Sequence, residues 1–347
     1  MNKIEYDELV KFHEQVLTLV GLDEYSKDAV TLGLCETSLR GVDSHGVRLL
    51  PHYVNSALSG RKNPKPDFKF HLTFPSIGHL DADDAFGHAA GMKAIEHGME
   101  MAETQGIGVV AVANSSHPGA MASMALKAAR AGYAAFAFTH ADALVLSHGG
   151  TRPYFGTNPI CFAVPRKEHD PYCLDMASSI IPWNRVLIHK NADTPLEEEV
   201  AADSEGRPTN DPHRAASLLP TGTYKGYGIA SMIEILCGVY TGMAFGRAIP
   251  AMYKAPMDQP RNLGQFYMVM RVDGVIDANE FIDRMQQMTD EVRVEPAIEG
   301  ESVYLPGDIE IIEAEKRMEE GVPLDEATVA GFRELSERFG VPLKLID

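Results

Sequence analysis

Hydrophobic positions recur at helical spacing from the start of the chain. Leu9, Val10, Phe12, Val16, Leu17 and Val20 share one face of a helix over 5–20, and Gly21 supplies its stop. Ser26 can cap a second helix that runs through Leu39 and closes at Gly41. The stretch Lys62-Asn-Pro-Lys-Pro-Asp-Phe68 then reads as extended linker, because each proline disfavours helix in the residue before it. A short strand at 77–81 leads to a helix over 88–104, and the apolar run 107–113 reads as a buried strand. The loop Asn114-Ser-Ser-His-Pro-Gly119 opens a helix to about Ala131. Strands follow at 134–139, 160–164 and 172–175. Residues 187–215 read as polar loop, followed by a helix at 225–237, a strand at 264–272 and a helix at 277–292. Two acidic helices, 308–320 and 325–339, finish the chain, the second capped by Asp325. Strands alternating with helices point to an α/β layer architecture.

Composition narrows this little. The chain has 347 residues, a prior of roughly two domains, and its 45% apolar and 23% charged content is ordinary for a globular protein. Charge excludes more. The net charge is −18, and residues 271–347 alone hold 20 acidic and 8 basic side chains, so a nucleic-acid footprint is excluded. Cys35, Cys161, Cys173 and Cys237 form no CxxC pair and sit among apolar neighbours, as buried reduced thiols do. The N-terminus lacks an apolar signal core. The glycine-rich run 228–246 carries only Glu234 and reads as a buried helix rather than a membrane span. The expectation is a soluble, cytoplasmic protein.

The chemistry is harder to place. No GxGxxG follows a strand and no GxxxxGK[ST] occurs, so a dinucleotide would need a site other than the standard Rossmann turn. Of 13 histidines, His13, His88 and His97 fall on helices and read as solvent-edge residues. His45, in Arg40-Gly-Val-Asp-Ser-His-Gly46, lies just past a helix end. His117 lies in a loop at the C-terminal end of a buried strand, the edge where open α/β sheets bind ligands. A neutral imidazole there can exchange a proton near pH 7. His45, His117, His140, Asp142 and His148 do not fall at HxxxH or HxH spacing, so a metal is not expected. Asp142 can orient an imidazole or serve as a turn residue. Lys225, at a helix start, wants an anionic partner. On spacing alone the chain is an α/β enzyme of unassigned reaction.

Together the motifs resemble the type-2 malate/lactate dehydrogenase family, which includes ureidoglycolate, sulfolactate and diketogulonate dehydrogenases and cyclic-imine reductases. The matching segments, in order, begin with Arg40–Gly46 with Tyr53, Ser116-His-Pro-Gly119, and Gly149-Gly150 followed by Gly156-Thr-Asn-Pro159. Asp175-Met-Ala-Ser-Ser179, Pro208–Pro212, Lys225–Gly228, Asn262-Leu-Gly-Gln265 and Leu305-Pro-Gly307 complete the set. The phrase Phe245-Gly-Arg…Met252-Tyr…Arg261-Asn-Leu-Gly-Gln265 looks nearest the ureidoglycolate branch.

The resemblance implies a homodimer with a non-Rossmann nicotinamide-binding sheet. It implies a helical domain of residues 1–72 with 296–347 and an α/β cofactor and substrate domain of 73–295. It further implies interconversion of a small 2-hydroxy acid and its 2-oxo acid with NAD or NADP, NAD being the first choice. His45 or His117 would carry the proton, with Asp142 orienting the imidazole and Ser44, Arg48 and Tyr53 at the substrate end. Cofactor contacts would come from Ala141, Asn158, Ala177, Ser178, Ser179, Ile180, Lys225, Pro306, Gly307 and Asp308. One departure matters: many relatives place an arginine four residues after the Ser-His-Gly histidine, and here that position is Leu49. The rival expectations are a cyclic-imine reductase of the same family and a non-catalytic small-molecule binding protein that kept the fold.

Overall fold

A computed structural model describes residues 2–346. Helices α1 (Tyr6–Val20) and α2 (Glu24–Leu39) form where the apolar spacing puts them. Asp23 rather than Ser26 caps α2: its carboxylate accepts from the Ser26 amide at 2.7 Å. That amide is the third of the helix, the one a capping side chain reaches. A helix that the apolar pattern did not mark, α3 (Leu50–Leu58), takes Pro51 into its first turn. The remaining helices are α4 (Gly87–Gln105), α5 (Ala122–Arg130), α6 (Trp183–Ala192), α7 (Tyr224–Glu234), α8 (Ala278–Arg293), α9 (Asp308–Glu320) and α10 (Glu326–Phe339).

Strand β1 (Asn2–Ile4) pairs antiparallel with β14 (Val322–Leu324), so the two chain ends meet. The main sheet has seven strands in the order β2 (Lys69–Phe74), β3 (Ile77–Asp81), β4 (Ile107–Ser115), β13 (Leu263–Arg271), β5 (Tyr133–Thr139), β8 (Ile160–Val164) and β9 (Tyr172–Met176). Only β3 and β4 pair in parallel within it. The fold is therefore mixed α/β, with one βαβ crossover through α4. Strand β2 begins directly after the stretch read as linker and lies on the sheet edge.

Period-two alternation separates the two faces. Val110, Val112, Ala135, Ala137, Tyr267 and Val269 pack under α4 and α5 in a core that also takes in the N- and C-terminal helices. Ala111, Phe138 and Phe266 face the other way, toward Ile233 and Cys237 of α7 and the π-helical turn that extends it. Gly108 of β4 lies so close to Gly98 of α4 that a β-carbon would come within 2.2 Å of the Gly98 carbonyl oxygen. Helix α4 can approach the sheet this closely because both residues lack a side chain.

A smaller five-stranded sheet, ordered β11 (Pro208–Thr209), β10 (Ala201–Ala202), β12 (Ser217–Leu218), β6 (Val145–Leu146) and β7 (Pro153–Phe155), crosses the region read as polar loop. Val186, Leu196, Val200, Ala201 and Leu218 give it a core that the surrounding polar residues masked in the sequence. The run at 228–246 is helical only in its first half. It is not fully buried: Met232, Ile235, Val239 and Tyr240 are exposed. Among the described residues no helix is long and apolar enough to cross a membrane. Two histidines read as solvent-edge, His13 and His88, are fully buried instead, because the helix faces that carry them pack inward.

Candidate active site

Two loops bring the histidines together. At the end of β4, Ser116 Oγ donates to the Ala85 carbonyl at 2.8 Å and accepts from the Gly87 amide at 3.1 Å. Gln265 Nε2 donates to Ser115 Oγ at 2.8 Å, and Tyr267 Oη in turn donates to Gln265 Oε1 at 2.6 Å. The loop is thus held from α4 and β13, and His117 projects from it. Glycine is required at 119, where φ is +72° and a β-carbon would lie 2.5 Å from His88 Nε2. The second loop precedes a 3-10 turn at Val47–Leu49. Ser38 Oγ accepts from the Val47 amide at 3.0 Å, and Arg317 of α9 grips Asp43 through two nitrogens at 2.7 and 3.0 Å. His45 stands on that loop.

The two imidazoles lie 5.8 Å apart, centre to centre, nearly parallel at 22°. Each has its Nδ1 engaged: Ser44 Oγ lies 2.8 Å from His45 Nδ1, and Tyr53 Oη lies 2.8 Å from His117 Nδ1. Both rings border a cleft of about 620 Å³, a volume suited to a bound small molecule. Arg261, Asp142, Tyr253, Trp183, Ala141, Thr157, Pro159 and Ala177 border it too. Its other end carries Glu36, Arg40, Cys173, Asp175 and Glu310.

Burial holds the His45 imidazole down to about 4, with Arg48 adding to the effect. His117 is also held well below the usual histidine range, first by burial and then by His45, Lys62, Arg261 and His88. Both rings are therefore neutral at physiological pH. At the far end, burial in the cleft raises the Asp175 carboxyl to about 6, against the pull of the Ala122 and Met121 amides.

Asp142 does not reach an imidazole. Its carboxylate accepts from Arg261 Nη2 at 2.7 Å, and the group that holds His117 is the Tyr53 hydroxyl. Leu49 is buried, and Arg48 is solvent-exposed rather than lining the cleft. Asn158 spends its amide inside the protein, donating to the Ala230 carbonyl and Glu234 and accepting from the Ala141 amide. It positions Ala141 rather than facing the cleft. Ser178 donates to the Thr157 carbonyl and Ser179 to the Ile181 carbonyl, while Ile180 is exposed. Asp308 is buried against Arg166 and Arg293, the Pro306 carbonyl accepts from the Cys173 amide, and Gly307 packs on Cys173. Lys225 is exposed on the first turn of α7.

A family model described as malate/L-lactate dehydrogenase matches residues 4–333. The chain belongs to the malate/L-lactate dehydrogenase family. Within that family it is 33% identical to the malate dehydrogenase of Pyrococcus abyssi, over 98% of this chain and 95% of that one. It is 32% identical to the NAD(+) ureidoglycolate dehydrogenase of Escherichia coli K12, over 93% and 92%. The crystal structure of Entamoeba histolytica malate dehydrogenase superposes with a TM-score of 0.93 at 28% identity, covering 99% of both chains. These relatives are dehydrogenases acting on CH–OH groups, and this chain is a dehydrogenase of their family.

Sequence reasoning missed five groups at or behind this malate/L-lactate dehydrogenase site. Glu36 and Arg40 sit on or just past α2, and nothing local marked Glu36. Lys62 opened the stretch read as linker and Arg61 lay just before it, yet both are buried. Arg261 was visible only as a letter in the phrase Arg261-Asn-Leu-Gly-Gln265, without a role.

Proposed function

We propose that the chain interconverts a small 2-hydroxy acid and its 2-oxo acid with a nicotinamide cofactor, His117 moving the hydroxyl proton. The observation that carries this reading is the pair of neutral, stacked imidazoles bordering one cleft, with the His117 ring fixed by Tyr53. A positioned histidine is typically worth ~10²–10⁴ in rate for such a proton transfer. His45, steadied by Ser44, borders the same space and orients the substrate oxygen. When bound, the nicotinamide supplies or accepts the hydride.

Arg261 is the side chain suited to the substrate carboxylate in place of the family arginine at Leu49. It lines the cleft, its one hydrogen bond goes to Asp142, and its buried Nε has no partner. Asp142 steadies the guanidinium, which leaves donors of the fork for a planar carboxylate. Glu36 supports a cofactor at the other end. It is buried and borders the cleft; Arg130 holds its Oε1, while its Oε2 lacks a hydrogen-bond donor, which a ribose hydroxyl can supply. Carboxylates at Glu36, Asp175 and Glu310 disfavour an added phosphate, and the cleft's Arg40 is paired to Asp170 at 2.7 Å. NAD is therefore the preferred cofactor. The exposed Ile235, Val239 and Tyr240 beside α7 support a homodimer that covers them.

The test is reduced-nicotinamide absorbance, with NAD and NADP separately, across a panel of 2-hydroxy acids and one cyclic imine run in the reducing direction. Turnover of a hydroxy acid with NAD is the expected result. Turnover of the imine alone would move the chain to imine reduction. Cofactor binding without turnover anywhere would make it a binding protein on a dehydrogenase fold.

A further inference from the structure

Lys62 is the least explained group in the molecule. It is 2% exposed, and its ammonium nitrogen has no hydrogen-bond partner. The nitrogen sits 3.4 Å from the centre of the Tyr53 ring and 4.8 Å from that of Phe86. Its backbone is fixed there: the Arg61 and Lys62 amides both donate to the Ser56 carbonyl, and the Asn63 amide donates to the Asp84 carbonyl. The charged and titratable groups that face it are Arg61, Arg261, His52, His88, His117 and Tyr53. No carboxylate among the described residues pairs with it, and Asp142, the partner of the neighbouring Arg261, is bound to that guanidinium. A lysine in a structural role at such a site would have a carboxylate or carbonyl on it, because an unbonded buried ammonium costs several kcal/mol.

What it does touch is the group that holds His117. Tyr53 is fully buried, and its hydroxyl lies 2.8 Å from His117 Nδ1. The Gly119 amide also points at that nitrogen, at 3.3 Å. An N–H donor aimed at Nδ1 makes it an acceptor, so the neutral ring carries its proton on Nε2. A neutral ring that gives up its Nε2 proton must receive one at Nδ1, and among the described residues Tyr53 is the only side chain bonded there.

We propose that Lys62 is a positioning residue that stabilises negative charge on Tyr53 while the Tyr53–His117 pair moves a proton to or from the substrate oxygen. In the reducing direction the Nε2–H proton goes to the carbonyl oxygen as the Oη–H proton passes to Nδ1. A phenolate is left against the Lys62 cation, and water reprotonates it as product leaves. In the oxidising direction the same protons run back: substrate hydroxyl to Nε2, and Nδ1–H to the phenolate. A cation on the face of an aromatic ring is the arrangement that favours this, and it also opposes a charged imidazolium. Burial lowers the Lys62 ammonium well below the usual lysine range, with Arg261 and Arg61 adding to it, and a phenolate on Tyr53 favours the charged ammonium in return.

This inference rests on the dehydrogenase reading, but its first test needs no turnover. Histidines are labelled with ¹⁵N, the His117 signal is assigned by its loss in His117→Ala, and wild type is titrated beside Lys62→Met, an unbranched apolar replacement for a buried stem. The expected results are an Nε2–H ring in wild type and a His117 titration that moves upward by about one pH unit or more in the variant. An Nδ1–H ring in wild type, which needs no variant to fold, would overturn the proposal. So would an unmoved titration in folded Lys62→Met. Once a substrate is known, kcat should fall ~10-fold or more with KM nearly unchanged, and the rise of oxidation rate with pH should shift upward. A fall in kcat with an unchanged pH profile would reduce Lys62 to packing.

Discussion

The two ends of the cleft are built from opposite charges. At one end His45, His117 and Arg261 gather with Lys62 behind Tyr53, and the Asp142 carboxylate is already tied to Arg261. At the other end Glu36, Asp175 and Glu310 face the cleft, and Arg40 is tied to Asp170. One end is short of negative charge, and at the other Glu36 Oε2 still lacks a donor although Arg130 holds its Oε1 and the Ala122 amide holds Asp175. A ligand that is anionic at one extremity and rich in hydroxyls at the other satisfies both, as an acid substrate and a ribose would in sequence. The titrations differ accordingly: burial, with cations adding to it, keeps the imidazoles neutral, while desolvation in the cleft, with Glu310 adding to it, raises Asp175 to about 6.

Removing His117 should break the contrast most severely. His117→Ala is expected to lose ~10²–10⁴ in kcat while cofactor affinity stays within a factor of about 2. Trp183, the only tryptophan, borders the cleft and reports that affinity by its fluorescence. Full turnover in this variant would take the proton away from His117. Next, Arg261→Met should raise KM for the hydroxy acid ~100-fold, the about 2–3 kcal/mol of a charged hydrogen-bonded anchor, with a smaller change in kcat. Because the change frees Asp142, Arg261→Met/Asp142→Asn is the paired control. An unaltered KM in both would place the carboxylate elsewhere.

Acid should weaken the fold through its buried histidines. His13 is lowered to about 4 by burial, and His88 to about 3 by burial with Lys62 adding to it. A histidine whose folded value lies below its unfolded value of about 6.5 stabilises the fold above that pH. It loses the contribution as pH falls toward the folded value, up to about 3 kcal/mol for His13 and about 5 kcal/mol for His88. Urea midpoints should therefore drop between pH 6.5 and 4, and His13→Phe should flatten part of that slope. The smallest effect belongs to the acidic end. Glu36→Gln should weaken NAD binding ~5-fold, about 1 kcal/mol, and narrow its advantage over NADP. The same narrowing is expected in wild type between pH 7 and 5, as Asp175 takes up a proton. Equal NAD and NADP affinities at pH 8 would contradict the assignment of this end.

Most regular elements were legible because apolar periodicity is a local signal. Helices α1, α9 and α10 and strands β3, β8 and β9 fall within a residue or two of the reading. His45 and His117 stood out for a similar reason, small polar residues beside a histidine at an element end. The smaller sheet did not stand out, since strands of two or three residues are too short to show a period. Arg61 and Lys62 were missed because lysine and arginine are almost never buried, so Lys62-Asn-Pro-Lys-Pro reads as solvated chain. Asp142 was misassigned because its partner lies 119 residues away in Arg261. Spacing cannot show which of two distant groups a carboxylate will meet.

Arg61 carries a consequence for binding. Its guanidinium donates to the carbonyls of Met252, Ala255 and Pro256 at 2.7–2.8 Å, which fastens the loop that presents Tyr253 and leads to Arg261. Loops that order only around their ligands forfeit about 1–2 kcal/mol of backbone entropy for each residue that stiffens. Here that loss falls on folding, so an incoming acid meets a wall already in place. A lysine at position 61 would have the same charge but not the fork, and the ordering cost would return at the moment of binding.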